Sequence, residues 1–548
     1  MSTSTYFDKE TEKYLVDGLN LVANAVKSTL GPRGNTVVIQ REDKNPVITK
    51  DGVSVAKEIK PKDERIKLGA DLAISIAQKQ MSNCGDGTTT ATVLGQEIVN
   101  TGMRMIELSE NKVNRTSMRR GIEKAKDYVI SALDSYAKEI KSDEDLVNIA
   151  TVSANGDRKL GEIVAEAYRK VGKAGVVLVE ETKDRTIRLD FKEGMTLNKG
   201  WTSQFFVNNH EDQIAEFDNP HIILSNGKIS NLSALIDVIQ TPVSKGEPVV
   251  IIAESFDTSV TQGLAMNIIR SGGQIKLACI EAPGYGDRRL DILRDLGIYV
   301  GADVGDDPMG IKFEVMSAAS FGSCEKIIIK KDETIIRGGK GDPARIAARV
   351  EAIEGLIGAL KENDTYEREQ LGKRLASLTT GVAVIQVGGS SEEEIKELRD
   401  RLDDAQYAVK AALEEGYLPG AGNTLLYLSD RILDKVEAAD PDEKVGIDIF
   451  AKSLKAPFKT LLSNAGVNVN DIVKEVVSKN DIEIGYNAKT MQIVNLLEDG
   501  IIDPVKVVKG TVYAASSIAS VILTSSVMIC TDPVESKGVS LNMMPGMM

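Results

Sequence analysis

The sequence predicts a mainly α-helical body with an α/β domain inserted into it. Three observations predict this. Apolar residues recur at helical spacing through about the first 140 residues. From about Val176 the texture changes to short β-branched runs separated by helical stretches. After Gly381 it returns to helix. The order helical, α/β, helical places the two ends of the chain in one helical body. At about 150 residues per domain, 548 residues make roughly three or four domains.

Leu15, Leu19, Val22, Val26 and Leu30 form the first helical stripe, which stops at Gly31-Pro32. Thr36–Gln40 reads as a strand, and Pro46–Gly52 as a strand ending in a turn. A helix from about Ile66 to Ser82 leads into Cys84-Gly85-Asp86-Gly87-Thr88-Thr89-Thr90-Ala91-Thr92, and two more helices run to about Lys141. The β-branched runs are Val176–Val179, His221–Leu224, Pro248–Ala253, Gln274–Ile280 and Lys326–Ile329. Alternation of such runs with helices predicts a partly parallel sheet. Gly175, Gly194, Gly200 and Gly381 stand near the edges of this region, as turn glycines or as hinges. Glu392–Glu415 is a long charged amphipathic helix with Asp403 and Asp404 inside it. It ends in the turn Gly416–Gly422, and helices continue to about Met528. The tail Met543–Met548 reads as a frayed, methionine-rich terminus.

Composition excludes several classes. With 42% apolar and 27% charged residues the chain is ordinary globular material. A net charge of -14 argues against a nucleic-acid partner. The four cysteines have no CxxC spacing, which argues for a reducing compartment and against zinc. Only His210 and His221 are present, so neither histidine-based catalysis nor histidine–metal chemistry is expected, and both read as structural or surface histidines. No apolar run reaches bilayer length and no signal-peptide core is visible, so the expectation is no membrane and a cytoplasmic location.

The stretch around Gly85-Asp86-Gly87 carries the chemistry. Two glycines let backbone approach a ligand, and the helix start that follows offers free N–H groups suited to phosphate. Asp86 would supply one hard oxygen ligand for Mg2+. The same residues also make a plain glycine turn with threonine caps, which needs no ligand. No Gly-Lys-Ser/Thr follows, so this is not a Walker A loop.

Taken with Thr29–Pro32, Thr49–Ala56, Ser153-Ala154-Asn155, Glu193-Gly194-Met195, Ala282–Arg289, Gly381–Ile385 and Gly485–Ala488, this stretch resembles the group I chaperonins, the GroEL type, from about Leu15 to Pro533. The thermosome-like group II chaperonins share the Gly-Asp-Gly-Thr-Thr loop but carry a built-in lid, and no extra helical protrusion is visible here. The resemblance implies a mainly α equatorial ATPase domain (1–135 and 415–548), a small α+β intermediate domain (136–192 and 383–414) and an α/β apical domain (193–382). It implies heptameric rings, single or double, that bind non-native polypeptides and fold them with ATP, Mg2+ and K+ as a further cation. A GroES-like co-chaperonin would cap the chamber. The alternative is a ring-forming holdase without productive release.

Carried over residue by residue, nucleotide would contact Thr29, Leu30, Gly31, Pro32, Lys50, Asp86, Gly87, Thr88, Thr89, Thr90, Ala421, Asn487, Ala488, Ile501 and Asp503. Asp86 would hold the metal, and Asp51 and Asp404 would position the attacking water. Client chains would bind Trp201, Phe205, Phe206, Leu232, Ile236, Ile239, Leu264 and Met266. Gly194 and Gly381 would be hinges. The chain departs from the pattern at Thr261, Ala265, Thr380, Ala421, Lys489, Lys459 and Asn468, the last two at positions of an inter-ring ion pair.

Overall fold

The structure, a computed structural model, describes residues 3–40, 46–110, 112–172, 176–182, 185–210, 212–360, 365–379 and 381–531. Gly175, Thr380 and the tail Met543–Met548 lie outside the described residues. The chain divides into two units. One comprises residues up to 165, 181–186 and from 387 on; the other comprises 166–180 and 187–386. The first is thus built from both ends of the sequence.

In chain order the first unit begins with β1 (Thr3–Phe7), α1 (Asp8–Lys27), β2 (Val37–Ile39), β3 (Val47–Thr49), α2 (Gly52–Glu58), α3 (Glu64–Cys84), α4 (Thr88–Leu108), α5 (Arg115–Tyr136) and α6 (Asp143–Ser153), and α7 (Arg158–Val171) runs from it into the second. Then come β4 (Val176–Glu181), β5 (Arg188–Leu197), β6 (Ala215–Asp218), β7 (His221–Ile229), α8 (Leu232–Ser244), β8 (Val249–Phe256), α9 (Thr258–Arg270), β9 (Leu277–Glu281), α10 (Gly286–Val300), β10 (Val304–Gly305), β11 (Gly322–Ile329), β12 (Thr334–Gly339), α11 (Pro343–Ala359), α12 (Thr365–Thr379) and β13 (Gly381–Val387). The return adds α13 (Glu392–Glu415), β14 (Tyr417–Pro419), α14 (Asn423–Lys435), α15 (Pro441–Ser453), α16 (Ala456–Ala465), α17 (Val469–Lys479), β15 (Ile484–Asn487), β16 (Gln492–Asn495), β17 (Ile502–Pro504), α18 (Val505–Thr524) and β18 (Val527–Thr531).

Side-chain caps fix several helix starts in the first unit. Asp63 accepts from Arg65 N–H, Asn114 from Thr116 and Ser117, and Ser142 forms a capping box with Asp145. Ser391 caps α13, and three glutamates in its first turn suit the positive end of the helix dipole. The core runs along α1, α3, α4, α5, α15 and α18. The first two cross closely: a Cβ on Gly69 would stand 2.3 Å from the Leu15 carbonyl oxygen, so only glycine fits. Contrary to the expectation of no bilayer-length run, α18 is long and apolar enough to cross a membrane. Its residues Val508, Val512, Ala515, Ala519 and Ile522 are instead packed in this core. β1 pairs antiparallel with β18, Thr3 opposite Thr531 and Phe7 opposite Val527.

The second unit holds a ten-stranded mixed sheet in the order β4-β13-β5-β12-β11-β7-β8-β9, with β10 on β7 and β6 on β11. Pairs β7–β8, β8–β9 and β7–β10 are parallel, and β11 with β12, β6 and β7, β12 with β5, and β13 with β5 are antiparallel. The parallel strands read as continuous apolar runs, as strands covered on both faces do; Val249–Ala253 is buried throughout.

Candidate functional site

The Gly-Asp-Gly loop is a backbone device. Gly85 (φ +73°) ends α3 and Gly87 (φ +78°) precedes α4, both left-handed, which glycine adopts without penalty. A Cβ on Gly85 would stand 2.2 Å from the Tyr407 ring, so the glycine also lets α13 close onto the loop. Between them the Asp86 carboxylate accepts from Gly87 N–H at 2.5 Å and from the Ser153 hydroxyl at 2.8 Å. The Gln80 amide donates to the Asp86 carbonyl at 2.7 Å. No side chain caps α4, so its first-turn N–H groups at Thr88–Thr90 remain for a ligand. The threonines therefore line a site rather than cap the helix.

Two further loops meet this one. Asp51 caps α2, accepting from Val53 N–H at 3.2 Å and Ser54 N–H at 2.8 Å. The start of α2 lies against the first turn of α4, where a Cβ on Gly52 would stand 2.3 Å from the Thr89 hydroxyl. The Thr29–Pro32 loop is held by Asn464, whose amide donates to the carbonyls of Lys27 and Leu30 at 2.9 and 3.0 Å. On the opposite wall the Asn487 side chain accepts from Lys489 and Thr490 N–H at 2.8 and 3.1 Å. Arg33 donates to the Ala488 carbonyl at 2.9 Å and ties the two walls together. The Gly420 N–H donates to the Ile501 carbonyl at 2.9 Å, and Leu418 pairs with Asp503 between β14 and β17.

These loops and α13 enclose a cavity of about 510 Å³, a size usual for small-molecule sites. All the nucleotide and water-positioning residues named above line it, from Thr29 to Asp503, with Asp51, Asp86 and Asp404 among them. It also takes in residues to which the sequence assigned no role: Asn148, Thr151, Ser153, Arg158, Glu397, Asp400, Arg401, Asp499 and Gly500. Ser153 sat in a noted tripeptide, but nothing local ties it to Asp86, 67 residues earlier.

The lining is acidic: seven carboxylates (Asp51, Asp86, Glu397, Asp400, Asp404, Asp499, Asp503) face four cations (Lys50, Arg158, Arg401, Lys489). Burial pushes Asp404 well above the usual carboxylate range, helped by the charges of Asp86 and Asp51. Asp86 is raised by burial and by Asp51, against the hydrogen bonds from Ser153 and Gly87. Asp503 is pushed up to about 7 by burial and Asp86. Among the described residues no group of three or more His, Cys, Asp or Glu side chains could hold a metal alone. A cavity built this way takes a cation only together with oxygens that a ligand brings.

The α/β unit corrects part of the expected client surface. Phe206, Ile239 and Leu264 are buried in the core of the unit. The apolar stripe of α8 that faces the sheet is Leu235, Val238 and Ile239, so the expected Leu232-Ile236-Ile239 line straddles core and surface. Phe205 (59%), Ile236 (38%) and Met266 (48%) are exposed, and Leu232 and Trp201 are half-buried. Of the departures here, Ala265 is buried and Thr261 half-buried. Gly194 lies within β5, where a Cβ would stand 2.1 Å from a Val382 methyl, and Gly381 opens β13 opposite Glu193. In the other unit, Asn468 is spent on capping α17.

The sequence matches the TCP-1/cpn60 chaperonin family over residues 22–235 and 232–533. The chain belongs to that family. It is accordingly an ATP-dependent chaperonin, one that binds client proteins and assembles into rings. Its fold is shared with the chaperonin gp146 of bacteriophage EL 2 (Pseudomonas aeruginosa), crystallised in the presence of ATP-BeFx. One crystal form aligns with a TM-score of 0.69 and 22% identity, covering 96% of this chain and 99% of gp146. A second form gives a TM-score of 0.62 at the same identity and coverage. The cavity is therefore the place to look for the nucleotide of a chaperonin, and the exposed apolar residues of the α/β unit for its clients.

Proposed function

We propose that this chaperonin hydrolyses ATP in the cavity and couples hydrolysis to release and folding of chains held on Phe205, Ile236 and Met266. One observation carries this reading. The Asp404 carboxylate, with no partner among the described residues, lines the same cavity as the free first turn of α4. The phosphates would lie on the N–H groups of Thr88–Thr90, where backbone donors and the helix dipole favour anions. Thr29–Pro32 and Asn487-Ala488 would flank base and sugar. Asp404, aided by Asp51, would orient water for attack on the terminal phosphorus and accept its proton; its raised proton affinity suits a base.

The residues fit Mg2+. Asp86 would hold it as a single carboxylate, the remaining ligands coming from phosphate oxygens and water. Bound there, the ion neutralises phosphate charge. K+ would be a second counter-ion for this acidic cavity. The family reading also supports heptameric rings, one or two of them, a GroES-like cap and a cytoplasmic location. It supports the three-domain division with Gly194 and Gly381 as hinges. Lys459 and Asn468, in place of an ion pair, favour a weak contact between rings.

The test is phosphate release with Mg2+ and ATP, alongside refolding of a denatured client. Asp404→Ala is expected to lower turnover by at least about 100-fold while ATP still binds. Unchanged turnover in this variant sinks the assignment. Suppressed aggregation with no ATP-triggered release would leave the holdase reading standing instead.

A further inference from the structure

The cavity presents more negative than positive charge, yet its ligand is a polyphosphate. Its cations therefore have to be accounted for one by one. Arg158 is spent on Glu144 and Glu162 and is more than half exposed. Lys489 is exposed, on the wall that carries Asn487 and Ala488. Lys50 precedes the Asp51 cap. Arg401 differs from all three. It lies three residues before Asp404 on α13, so the two side chains share a helix face. One guanidinium nitrogen donates to Glu397, four residues earlier, and Glu397 also lines the cavity. Its Nε is buried with no hydrogen-bond partner. A buried donor left unmade is costly and calls for an explanation such as a ligand that binds there.

We propose that Arg401 is a catalytic residue of the ATPase: its guanidinium passes from Glu397 to the terminal phosphate of bound ATP, beside Asp404. During hydrolysis the water oxygen bonds to the terminal phosphorus as the bond to the bridging oxygen breaks. The water's proton goes to Asp404, and the departing diphosphate keeps the electron pair. Arg401 neutralises the charge that grows on the transferring oxygens, as a planar fork of donors does well. Glu397 holds the guanidinium in place while the terminal phosphate is absent, which makes the site discriminate ATP from ADP. The inference rests on the ATPase reading above.

The experiment uses the full-length assembled protein, with Arg401→Ala and Arg401→Lys. Turnover is measured by phosphate release, and ATP and ADP affinities by calorimetry. Arg401→Ala is expected to lower kcat by about 1,000-fold, with KM rising as the contact to the terminal phosphate of bound ATP is lost. ADP affinity and assembly mass should stay unchanged, while the preference for ATP over ADP is lost. Arg401→Lys, which keeps the charge but not the fork, should fall between. A kcat within about threefold of the parent in both variants overturns the proposal. If the parent binds ATP without hydrolysing it, the ATPase reading fails by itself. The affinity ratio then still decides Arg401, and an unchanged ratio in Arg401→Ala overturns it. Should Arg401→Ala fail to assemble, Arg401→Gln takes its place in the same measurements.

Discussion

The two units differ in the anomalies that the proposed function uses. In the helical unit the anomalies are polar and enclosed: Asp86, Asp404 and Asp503 hold raised proton affinities, and Arg401 keeps an unpartnered donor. In the α/β unit they are apolar and exposed: Phe205, Ile236, Met266, Ile269 and Met309 face solvent above a well-packed sheet. Soluble proteins avoid both arrangements unless function maintains them. Enclosed carboxylates suit the cation and polyphosphate proposed above. Exposed apolar side chains prepare a surface for other apolar chains. On the proposed function, energy input falls in the helical unit and client capture in the α/β unit.

The strongest way to break this contrast lies inside the α/β unit. Ile251 is fully buried in β8, between β7 and β9. Ile251→Ala is expected to destabilise this unit by about 3–4 kcal/mol through lost burial and a residual cavity. Ile236→Ser, fifteen residues earlier in the same unit, should change stability by less than about 0.5 kcal/mol. It should nevertheless weaken capture of a denatured client. Thermal unfolding and an aggregation-suppression assay of both variants separate core from surface. Equal destabilisation by the two would mean that Ile236 is structural.

Much of this was legible in the sequence, for identifiable reasons. The helix Glu392–Glu415 was bounded correctly because serine, three glutamates and a glycine punctuate it. Val249–Ala253 was visible as an apolar run. β5 was not, because Arg188–Leu197 carries alternating charges, and its place in the sheet comes from β12 and β13 far along the chain. The pairing of β1 with β18 joins the two ends of the sequence and leaves no local signal. Motif loops marked the cavity through glycine, aspartate and threonine at short spacing. Ser153 and Arg401 escaped because each reaches the cavity by tertiary packing, from helices flanking the inserted unit. Exposure was harder to read than position: Ile236 and Ile239 share one stripe, yet only the first reaches solvent.

A second test sharpens the polar half of the comparison through pH. The folded-state proton affinity of Asp503 is raised from the ordinary 3.8 to about 7. The folded chain then holds that proton longer than the unfolded chain. Stability contributed by this group is fully present below about pH 4 and is lost as pH rises towards 7. Asp86 and Asp404 act in the same direction. Ion-paired Asp63, Asp307 and Glu483 act in the opposite one, so the difference between variant and parent is the quantity to read. Asp503→Asn should stabilise the nucleotide-free protein by about 2 kcal/mol at pH 8, discounted for water in the cavity, and by about zero at pH 4. Saturating Mg2+ and ATP should shrink the gain. A difference that does not vary with pH would show that Asp503 is not held in the low-dielectric setting the cavity implies.

The smallest effect concerns backbone strain at the same cavity. Ala421 has φ +57°, in the left-handed region, directly before Gly422 at φ +71° and the start of α14. A Cβ there costs about 1–2 kcal/mol. Glycine gives back roughly half of that through the entropy of the unfolded chain. Ala421→Gly should therefore stabilise the helical unit by about 0.5–1 kcal/mol, read as a small rise in Tm. The Gly420 N–H and Ile501 carbonyl already fix the loop from the other side, so ATP affinity should not change. If affinity falls while Tm rises, the strained alanine is shaping the site, because the stiffer backbone then holds the loop open for nucleotide. If neither moves, the loop tolerates left-handed alanine at no cost. The enclosed anomalies of this unit would then be purely those of charge.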